Sequence, residues 1–134
     1  MSNTLGNIKV TATPAIGGGS APSTTTVLPP YQALSAGVVD IPDATADATS
    51  IAVPFGSTTV DATLLMIENT NNADIGIKIN GAAAISHHLA PGGVMVIANP
   101  AAAGAAHITS CSIVTIGLQV GAGTVKYLVA GDSV

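Results

Sequence analysis

Apolar side chains recur at every second position through most of the chain after Tyr31. Residues 74–80 are the clearest case, because three isoleucines fall on one side of an extended chain and glycine, lysine and asparagine fall on the other. This period of two is typical of a half-buried β-strand, whereas an amphipathic helix repeats every 3.6 residues. No segment shows a convincing helical period. The sequence therefore predicts an all-β fold.

Turn residues divide this part of the chain into short strands. Asn80-Gly81 is a favoured type I′ hairpin pair, and Pro91-Gly92 has the residue order of a type II turn. Residues 41–50 read as an exposed loop, and residues 100–106 as a loop or at most one helical turn. The regular spacing favours an antiparallel β-sandwich, most simply a jelly roll. The predicted strands are residues 35–41, 49–56, 62–69, 74–80, 84–90, 93–99, 112–120 and 124–130.

The first 30 residues differ from the rest, being rich in proline, glycine, serine and threonine with scattered apolar residues. We expect residues 1–30 to form an extended arm and residues 31–134 to form the β-sandwich domain. An arm of this composition suits contacts with a neighbouring subunit, although a disordered tail has a similar composition. The residues expected to make the arm's partner contacts are Ile8, Val10, Ile16, Val27, Leu28, Pro29, Pro30 and Tyr31.

Charged residues are scarce: they make up 7% of the chain, against about 25% in ordinary soluble domains. Residues 79–125 contain none, and the chain has no arginine. Such a surface predicts burial against other copies or other proteins, and so a homo-oligomer; a monomer with an uncharged Ser/Thr/Asn surface is the alternative. The three lysines are too few and too scattered to bind nucleic acid or an anionic membrane. No apolar run reaches the roughly 20 residues of a membrane span.

Few residues suggest catalysis. His87 and His88 are neighbours on a predicted strand, so they point to opposite faces and cannot share a metal without a bulge. Either could approach His107, or form a site on a three-fold axis, but no further ligand has suitable spacing. Cys111 lies in an apolar run typical of a buried thiol. Because no catalytic or phosphate-binding motif occurs, we expect no enzyme activity and no cofactor.

Residues 62–99 resemble the small β-rich virion proteins of tailed bacteriophages. The resemblance rests on a strand ending in an "NT" turn, an "I-x-I-x-I-N-G" hairpin and an "L-x-P-G-G" turn, here IENTN, IGIKING and LAPGG. The Thr/Pro/Gly-rich start is similar to the arms of capsid decoration (cement) proteins. That resemblance implies a jelly-roll trimer that bridges neighbouring major capsid proteins.

The expected function is therefore that of a non-enzymatic virion protein that decorates and stabilises a capsid surface after synthesis in the host cytoplasm. The alternative is a neck, tail or fibre-associated module that binds another virion protein or a host surface glycan. Tyr31 and Tyr127 are the candidate aromatic residues for a glycan site.

Overall fold

The computed structural model describes residues 9–12, 24–27, 31, 33–56, 61–99 and 108–132. These residues form β-strands and connecting loops, with no helix among them. In chain order the strands are β1 (Lys9–Ala12), β2 (Thr24–Val27), β3 (Ala33–Ile41), β4 (Ser50–Ala52), β5 (Asp61–Glu68), β6 (Ile75–Ile79), β7 (His87–Leu89), β8 (Val94–Ala98), β9 (Cys111–Thr115) and β10 (Gly123–Asp132).

Eight of these strands form two antiparallel four-stranded sheets. Sheet I has the order β3-β10-β5-β8, and sheet II has the order β4-β9-β6-β7. Each strand from β3 to β10 falls within or overlaps one of the eight segments predicted from the period of two. The all-β prediction is thus confirmed, and the arrangement is sandwich-like.

The hydrophobic core combines side chains from both sheets. Sheet I contributes Leu65, Ile67, Val125 and Val129, and each is fully buried. The predicted apolar face of residues 74–80 is confirmed, because Ile75 and Ile77 of sheet II have no exposed surface. The remaining buried members of this cluster are Val39, Ile41, Val53, Phe55, Ala62, Met95, Ile108, Cys111 and Ile113.

Both predicted turns occur. Asn80 and Gly81 have positive φ angles of 55° and 69°, and the Ala82 N–H donates to the Ile79 carbonyl at 3.1 Å, as a type I′ turn requires. At Pro91-Gly92, the Gly93 N–H donates to the Ala90 carbonyl at 2.8 Å, and the φ of Gly92 is 83°.

The prediction of a single strand over residues 112–120 is wrong, because β9 ends at Thr115. Gly117 has a φ of 80°, which turns the chain out of the extended region, and its N–H donates to the Asp47 carboxylate at 2.7 Å. The Gln119 N–H then donates to the Thr45 carbonyl at 2.9 Å. Residues 116–121 thus pair irregularly with the β3–β4 loop. Strands β4 and β7 are likewise shorter than predicted, with three residues each.

The N-terminal segment contains two strands that the sequence did not predict. Strands β1 and β2 pair antiparallel with each other, Lys9 lying opposite Val27. Val10 of β1 and Tyr31 pack against Leu64 and Ala130 of sheet I. These contacts lie within one chain, on the side of sheet I that faces away from the core.

The outer side of sheet II is covered in a different way. Gly76 of β6 is buried, and a Cβ at this position would come within 2.7 Å of the Ile85 side chain. The β6–β7 loop therefore folds back so that Ile85 lies against the sheet, next to the buried Val114. The absence of a side chain at Gly76 leaves room for that loop.

Candidate interface

The outer side of sheet I carries side chains in rows that run across the four strands. Strand pairing gives the rows directly. The charged row is Val38, Lys126, Glu68 and Val94. The apolar row is Ala36, Leu128, Met66 and Val96. The covered row is Leu34, Ala130, Leu64 and Ala98.

The charged row and the apolar row together form a surface that we call the open face. Val94 is 56% exposed and Val38 is 50% exposed, at the two edges of the charged row. Met66 and Val96 of the apolar row are also exposed. Single exposed apolar side chains are ordinary, but a contiguous group of them is typical of a binding surface.

The covered row owes its burial to the N-terminal segment. Leu64 is 1% exposed and Ala130 is fully buried, because Val10 and Tyr31 pack on them. Leu34, at the edge of this row, stays exposed. The boundary of the open face is therefore set by how far the β1–β2 segment reaches across sheet I.

Two opposite charges lie side by side at the centre of the open face. Lys126 of β10 lies directly across from Glu68 of β5, and both side chains are exposed. A shallow pocket of about 340 Å³ opens here, lined by Met66, Ile67, Glu68, Val94, Lys126, Tyr127 and Leu128. The open face is thus apolar with a small charged centre whose net charge is zero.

A second group of exposed apolar residues lies in the loop after β9. Leu118 is 64% exposed and Val120 is 72% exposed, and Ile116 beside them is 36% exposed. We call these three residues the apolar tip. The large exposed hydrophobic residues of the described chain all belong either to the apolar tip or to the outer side of sheet I.

A buried amide network holds the loop that carries the apolar tip. Asn71 and Gln119 exchange two hydrogen bonds between their side-chain amides, at 3.0 and 2.9 Å. Both residues are almost fully buried. The Gln119 amide also donates to the Gly121 carbonyl at 2.9 Å, and the Asp43 carboxylate accepts the Gly121 N–H at 2.7 Å. Paired buried amides avoid the free-energy cost of unsatisfied polar groups. These hydrogen bonds therefore hold the loop in one conformation from its buried side.

The NTNN sequence at residues 69–72 supplies most of this network. Asn69 is fully buried and donates to the carbonyls of Ala73 and Leu89 at 3.0 and 2.8 Å. Its own amide oxygen accepts the Asn71 N–H at 2.9 Å. Asn72 donates to the Val120 carbonyl at 2.8 Å. The sequence identified these residues as a turn, but their side chains join three loops.

Only two of the predicted arm residues have side-chain contacts that the structure describes. Val10 and Tyr31 come together, on their own chain's covered row. Val27 lies in β2, and its side chain is not among those described. The other predicted arm residues lie outside the described residues: Ile8, Ile16, Leu28, Pro29 and Pro30.

The other candidates from the sequence are spread over the molecule. Tyr127 is half-buried against the core, with its ring beside Gly37, so it does not form an exposed aromatic platform. His87 and His88 are exposed on β7 at consecutive register positions, and His107 lies outside the described residues. Within the described ranges, no three His, Cys, Asp or Glu residues are grouped to hold a metal ion.

Cys111 is confirmed as a buried thiol in the core. Burial raises the pKa of the Cys111 thiol from 9.0 to about 12, because the apolar surroundings disfavour the thiolate. The thiolate is the reactive form of cysteine. Cys111 is therefore a packing residue and not a nucleophile in this structure.

The structure is that of a two-sheet β-protein whose large exposed apolar side chains, among the described residues, lie on the outer side of sheet I and at the apolar tip. The described part of the chain has no helix of the length and apolar character that crossing a bilayer requires. Comparisons with models of protein families, with curated protein sequences and with solved structures found no match. The open face and the apolar tip are the observations that bear on function.

Sequence reasoning located the material of the open face without recognising the face itself. Val94 and Val96 lie in the uncharged stretch that was expected to meet partners, but Val38, Met66 and Leu128 lie outside it. Strand order brings these five residues together. One feature of the sequence does indicate an apolar outer face. The predicted strands 62–69 and 124–130 carry apolar residues at consecutive positions, and therefore on both faces of the sheet.

Proposed function

We propose that this protein is a non-enzymatic structural protein of a phage particle that decorates a capsid and bridges neighbouring major capsid proteins. The observation that carries the proposal is the open face: an exposed apolar surface, with a neutral charged centre, on a sheet whose inner side already forms the core. Contiguous groups of exposed apolar side chains are typical of protein–protein contacts. The virion setting is supported by the resemblance of residues 62–99 to small virion proteins.

We further propose that the fold is a jelly roll. The strand orders β3-β10-β5-β8 and β4-β9-β6-β7 support it, because every connection from β3 to β10 crosses between the sheets except β6–β7, which joins neighbouring strands of sheet II. Double-sheet folds with eight strands and two Greek keys are common in viral capsid proteins. Fold and function are separate statements, however, since one fold hosts many functions.

The arm is assigned a smaller part than its composition predicted. Val10 and Tyr31 lie on their own sheet I, where they limit the open face. In the proposed function, bridging rests on the open face and on the apolar tip, and residues 1–30 contribute contacts beyond those two surfaces.

The location of the protein on particles tests this proposal. Virions of the phage whose genome encodes this chain can be labelled with an antibody against the protein and viewed by electron microscopy. The label should be distributed over the shell. Label confined to the neck, tail or fibres would favour the alternative, a module that binds another virion protein at that place. Purified particles that lack the protein altogether would contradict both.

The glycan-binding alternative finds less support in the surfaces. Sugar sites use exposed aromatic rings, and both tyrosines are partly buried in packing contacts, Tyr127 against the core and Tyr31 on the covered row. Binding to a glycan array that disappears with Tyr127→Ala in a still-folded protein would revive it.

A further inference from the structure

We propose that β8 pairs antiparallel with β8 of a second copy of this chain, so that sheet I of both copies becomes one continuous eight-stranded sheet. The two-fold axis runs at right angles to the sheet and passes between the two Val96 residues. The open faces of the two copies then lie side by side and both remain available to a capsid. The inference rests on the proposed structural function and deepens it, because it names the contact that joins two bridging surfaces.

Strand β8 is an edge strand whose outward backbone groups can be identified. Immediately after β8, the Asn99 N–H donates to the Thr63 carbonyl at 2.8 Å. Bonded and non-bonded positions alternate along an antiparallel pair, and β8 pairs with β5 without a register shift. The residues whose N–H and C=O groups point away from β5 are therefore Val94, Val96 and Ala98. No strand among the described residues pairs with β8 on that side.

The sequence of β8 does not protect this edge. Natural edge strands avoid pairing by being short or by carrying charged residues, proline or a bulge. Residues 94–98 are VMVIA, which contains no charged residue and no proline, and the register with β5 is regular. Val94 and Val96 are exposed. The edge of β8 therefore offers an unprotected run of backbone donors and acceptors.

The other three edges of sheets I and II are protected. Strands β4 and β7 have three residues each. Strand β3 is longer, but it carries Asp40 near its end. The Ser35 hydroxyl of β3 also donates to the Pro54 carbonyl at 2.8 Å, which places the segment after β4 beside this strand. Pairing through β8 is therefore a closed two-fold contact that does not extend into a filament.

Two copies of β8 match each other side chain by side chain. With the axis at Val96, Val94 of each copy lies opposite Ala98 of the other, and Met95 lies opposite Ile97. Every opposed pair is apolar, and no like charges face each other. The three outward residues of each copy donate and accept one bond each, which gives about six hydrogen bonds between the copies.

The apolar row of the open face continues across this axis. In each copy it runs from Ala36 through Leu128 and Met66 to Val96. Because Val96 lies at the axis, the rows of the two copies meet end to end and form one apolar row across eight strands. A strand of another protein would satisfy the backbone groups of β8 without extending this row. The continuity is the reason to assign the edge of β8 to a second copy.

The described part of the N-terminal segment leaves room for this pairing. Its contacts are with Leu64 and Ala130 of the covered row. The rotation reverses the strand direction, so the covered row of one copy lies in line with the charged row of the other. With strands about 4.8 Å apart and about 3.4 Å per residue, the two Leu64 Cα atoms are about 20 Å apart. The two N-terminal segments therefore cover diagonally opposite parts of the joint surface.

The contact is small. Strand β8 has five residues and is about 17 Å long, so pairing along one edge buries less than the roughly 1,200–2,000 Å² of stable interfaces. We therefore expect a weak dimer in solution. Attachment of several copies to one particle would raise their local concentration and favour pairing. The two-fold pairing differs from the trimer that the resemblance to decoration proteins implies.

Cysteines introduced on the outer side of sheet I test the position of the axis. Val96→Cys should be cross-linked into a dimer by a bismaleimide reagent whose span is about 8 Å, because directly paired Cα atoms are about 5.5 Å apart. Met66→Cys lies one strand further in, and Val38→Cys lies at the opposite edge. Both should react at least tenfold more slowly, because these positions are about 14 Å or more apart in the dimer. The wild type controls for the buried Cys111.

A mixture of two variants tests the strand direction. Val94→Cys and Ala98→Cys should cross-link with each other, because antiparallel pairing sets position 94 of one copy opposite position 98 of the other. Each variant alone should cross-link at least tenfold more slowly, since two copies of the same position are about 14 Å apart. Parallel pairing would give the reverse result and would overturn the proposal.

Sedimentation equilibrium from about 10 μM to 1 mM measures the affinity. The wild-type mass should rise towards that of two chains. Val96→Pro removes an outward N–H, a change that an edge strand tolerates, and should raise the dimer dissociation constant at least tenfold. Val96→Lys should have a similar effect because like charges then meet at the axis, whereas Val38→Lys, at the opposite edge, should not. An equimolar mixture of Val96→Lys and Val96→Glu should restore pairing.

Circular dichroism on each variant shows that the sheets remain folded. A wild-type protein that stays monomeric throughout this range, reaches the mass of three chains, or cross-links equally at positions 96 and 66 would overturn the pairing of β8. A monomer that still labels the capsid shell would contradict the pairing alone. A dimer that is absent from particles would contradict the proposed function alone.

Discussion

At the scale of single residues, the buried hydrogen bonds between side-chain amides hold the loops in place, and the amino-acid composition does not predict them. Asn71 and Gln119 are buried and bond each other through both amide groups, although they are 48 positions apart. Gly123 lies beside them, and a Cβ at this position would collide with the Asn71 side chain. A glycine is therefore required here for space and not for an unusual φ angle.

Gly123→Ala should lower the free energy of unfolding by about 1–3 kcal/mol, as overpacking of a buried site does. The Asn71 amide would be displaced, which also strains its bonds to Gln119. Thermal or urea unfolding measures the change. Gly81→Ala is not a suitable control because Gly81 has a positive φ angle. Ala122→Gly, at an exposed neighbouring position, is the control. Equal stability of Gly123→Ala and wild type would contradict the packing described here.

Cys111 should make stability fall with rising pH. The folded pKa of about 12 lies above the unfolded value of 9.0, so unfolding above pH 9 releases a proton that the folded state retains. The free energy of unfolding should decrease by about 1.4 kcal/mol per pH unit on this account, between pH 9 and 12. Below pH 9 the full contribution is present.

The measurement compares the pH slope of urea unfolding in wild type and in Cys111→Ala, so that contributions common to both proteins cancel. The variant is less stable overall because it leaves a cavity, but its slope should be smaller. A thiol reagent should also label wild type in urea and not in buffer at pH 8. Rapid labelling of the folded protein would show that Cys111 is accessible.

At the scale of elements, the loop after β9 is a rigid support for exposed apolar side chains. Asp43 and Asp47 accept the Gly121 and Gly117 N–H groups at 2.7 Å each, and Gln119 is buried beneath. Leu118 and Val120 alternate with Gln119 and therefore point outward. A loop held this firmly loses little conformational entropy when a partner binds it.

Replacing the apolar tip by Leu118→Ser and Val120→Ser should weaken attachment to particles about tenfold or more, as loss of exposed anchor residues does. Unfolding free energy should change by less than about 0.5 kcal/mol, because both side chains are exposed. Co-sedimentation with particles lacking the protein measures attachment. Ala52→Ser, exposed on sheet II, is the control. Unchanged attachment would exclude the tip from the partner contact.

The β1–β2 segment should be dispensable for folding of the two sheets. Its described contacts are with Leu64 and Ala130, and none of the residues of this segment whose side chains the structure describes belongs to the core cluster between the sheets. Deleting residues 1–30 should leave cooperative unfolding and expose Leu64. Binding of a fluorescent apolar dye should increase, and Val10→Ser should produce part of that increase. Loss of cooperative unfolding would show that the segment is part of the fold.

At the scale of the whole molecule, apolar surface is distributed unequally between the two outer sides. On sheet II the β6–β7 loop places Ile85 over Gly76, and on sheet I, among the described residues, Val10 and Tyr31 cover one row. The outer side of sheet I therefore has more exposed apolar surface than the outer side of sheet II. There the exposed valines, Met66 and Leu128 lie around one Lys–Glu pair.

The sequence by itself determined the approximate positions of the eight strands of the two sheets, two of the turns and the buried face of residues 74–80. These follow from local rules, since side chains alternate along any extended chain and Asn-Gly or Pro-Gly pairs favour particular φ angles. Residues 74–80 and the turns at Asn80 and Pro91 were predicted correctly for this reason. The uncharged stretch also indicated that much surface lies against partners, which stays a prediction.

Only the tertiary structure decided which strands are neighbours, and with that which residues share a surface. Lys126 lies opposite Glu68 although 58 positions separate them (126 − 68), and no local pattern specifies that pairing. The end of β9 at Thr115 was also beyond local reasoning, because Asp47 and Thr45 of a distant loop bind the chain there. Long-range hydrogen bonds and strand order therefore create the open face, from residues whose local sequences do not mark them as a site.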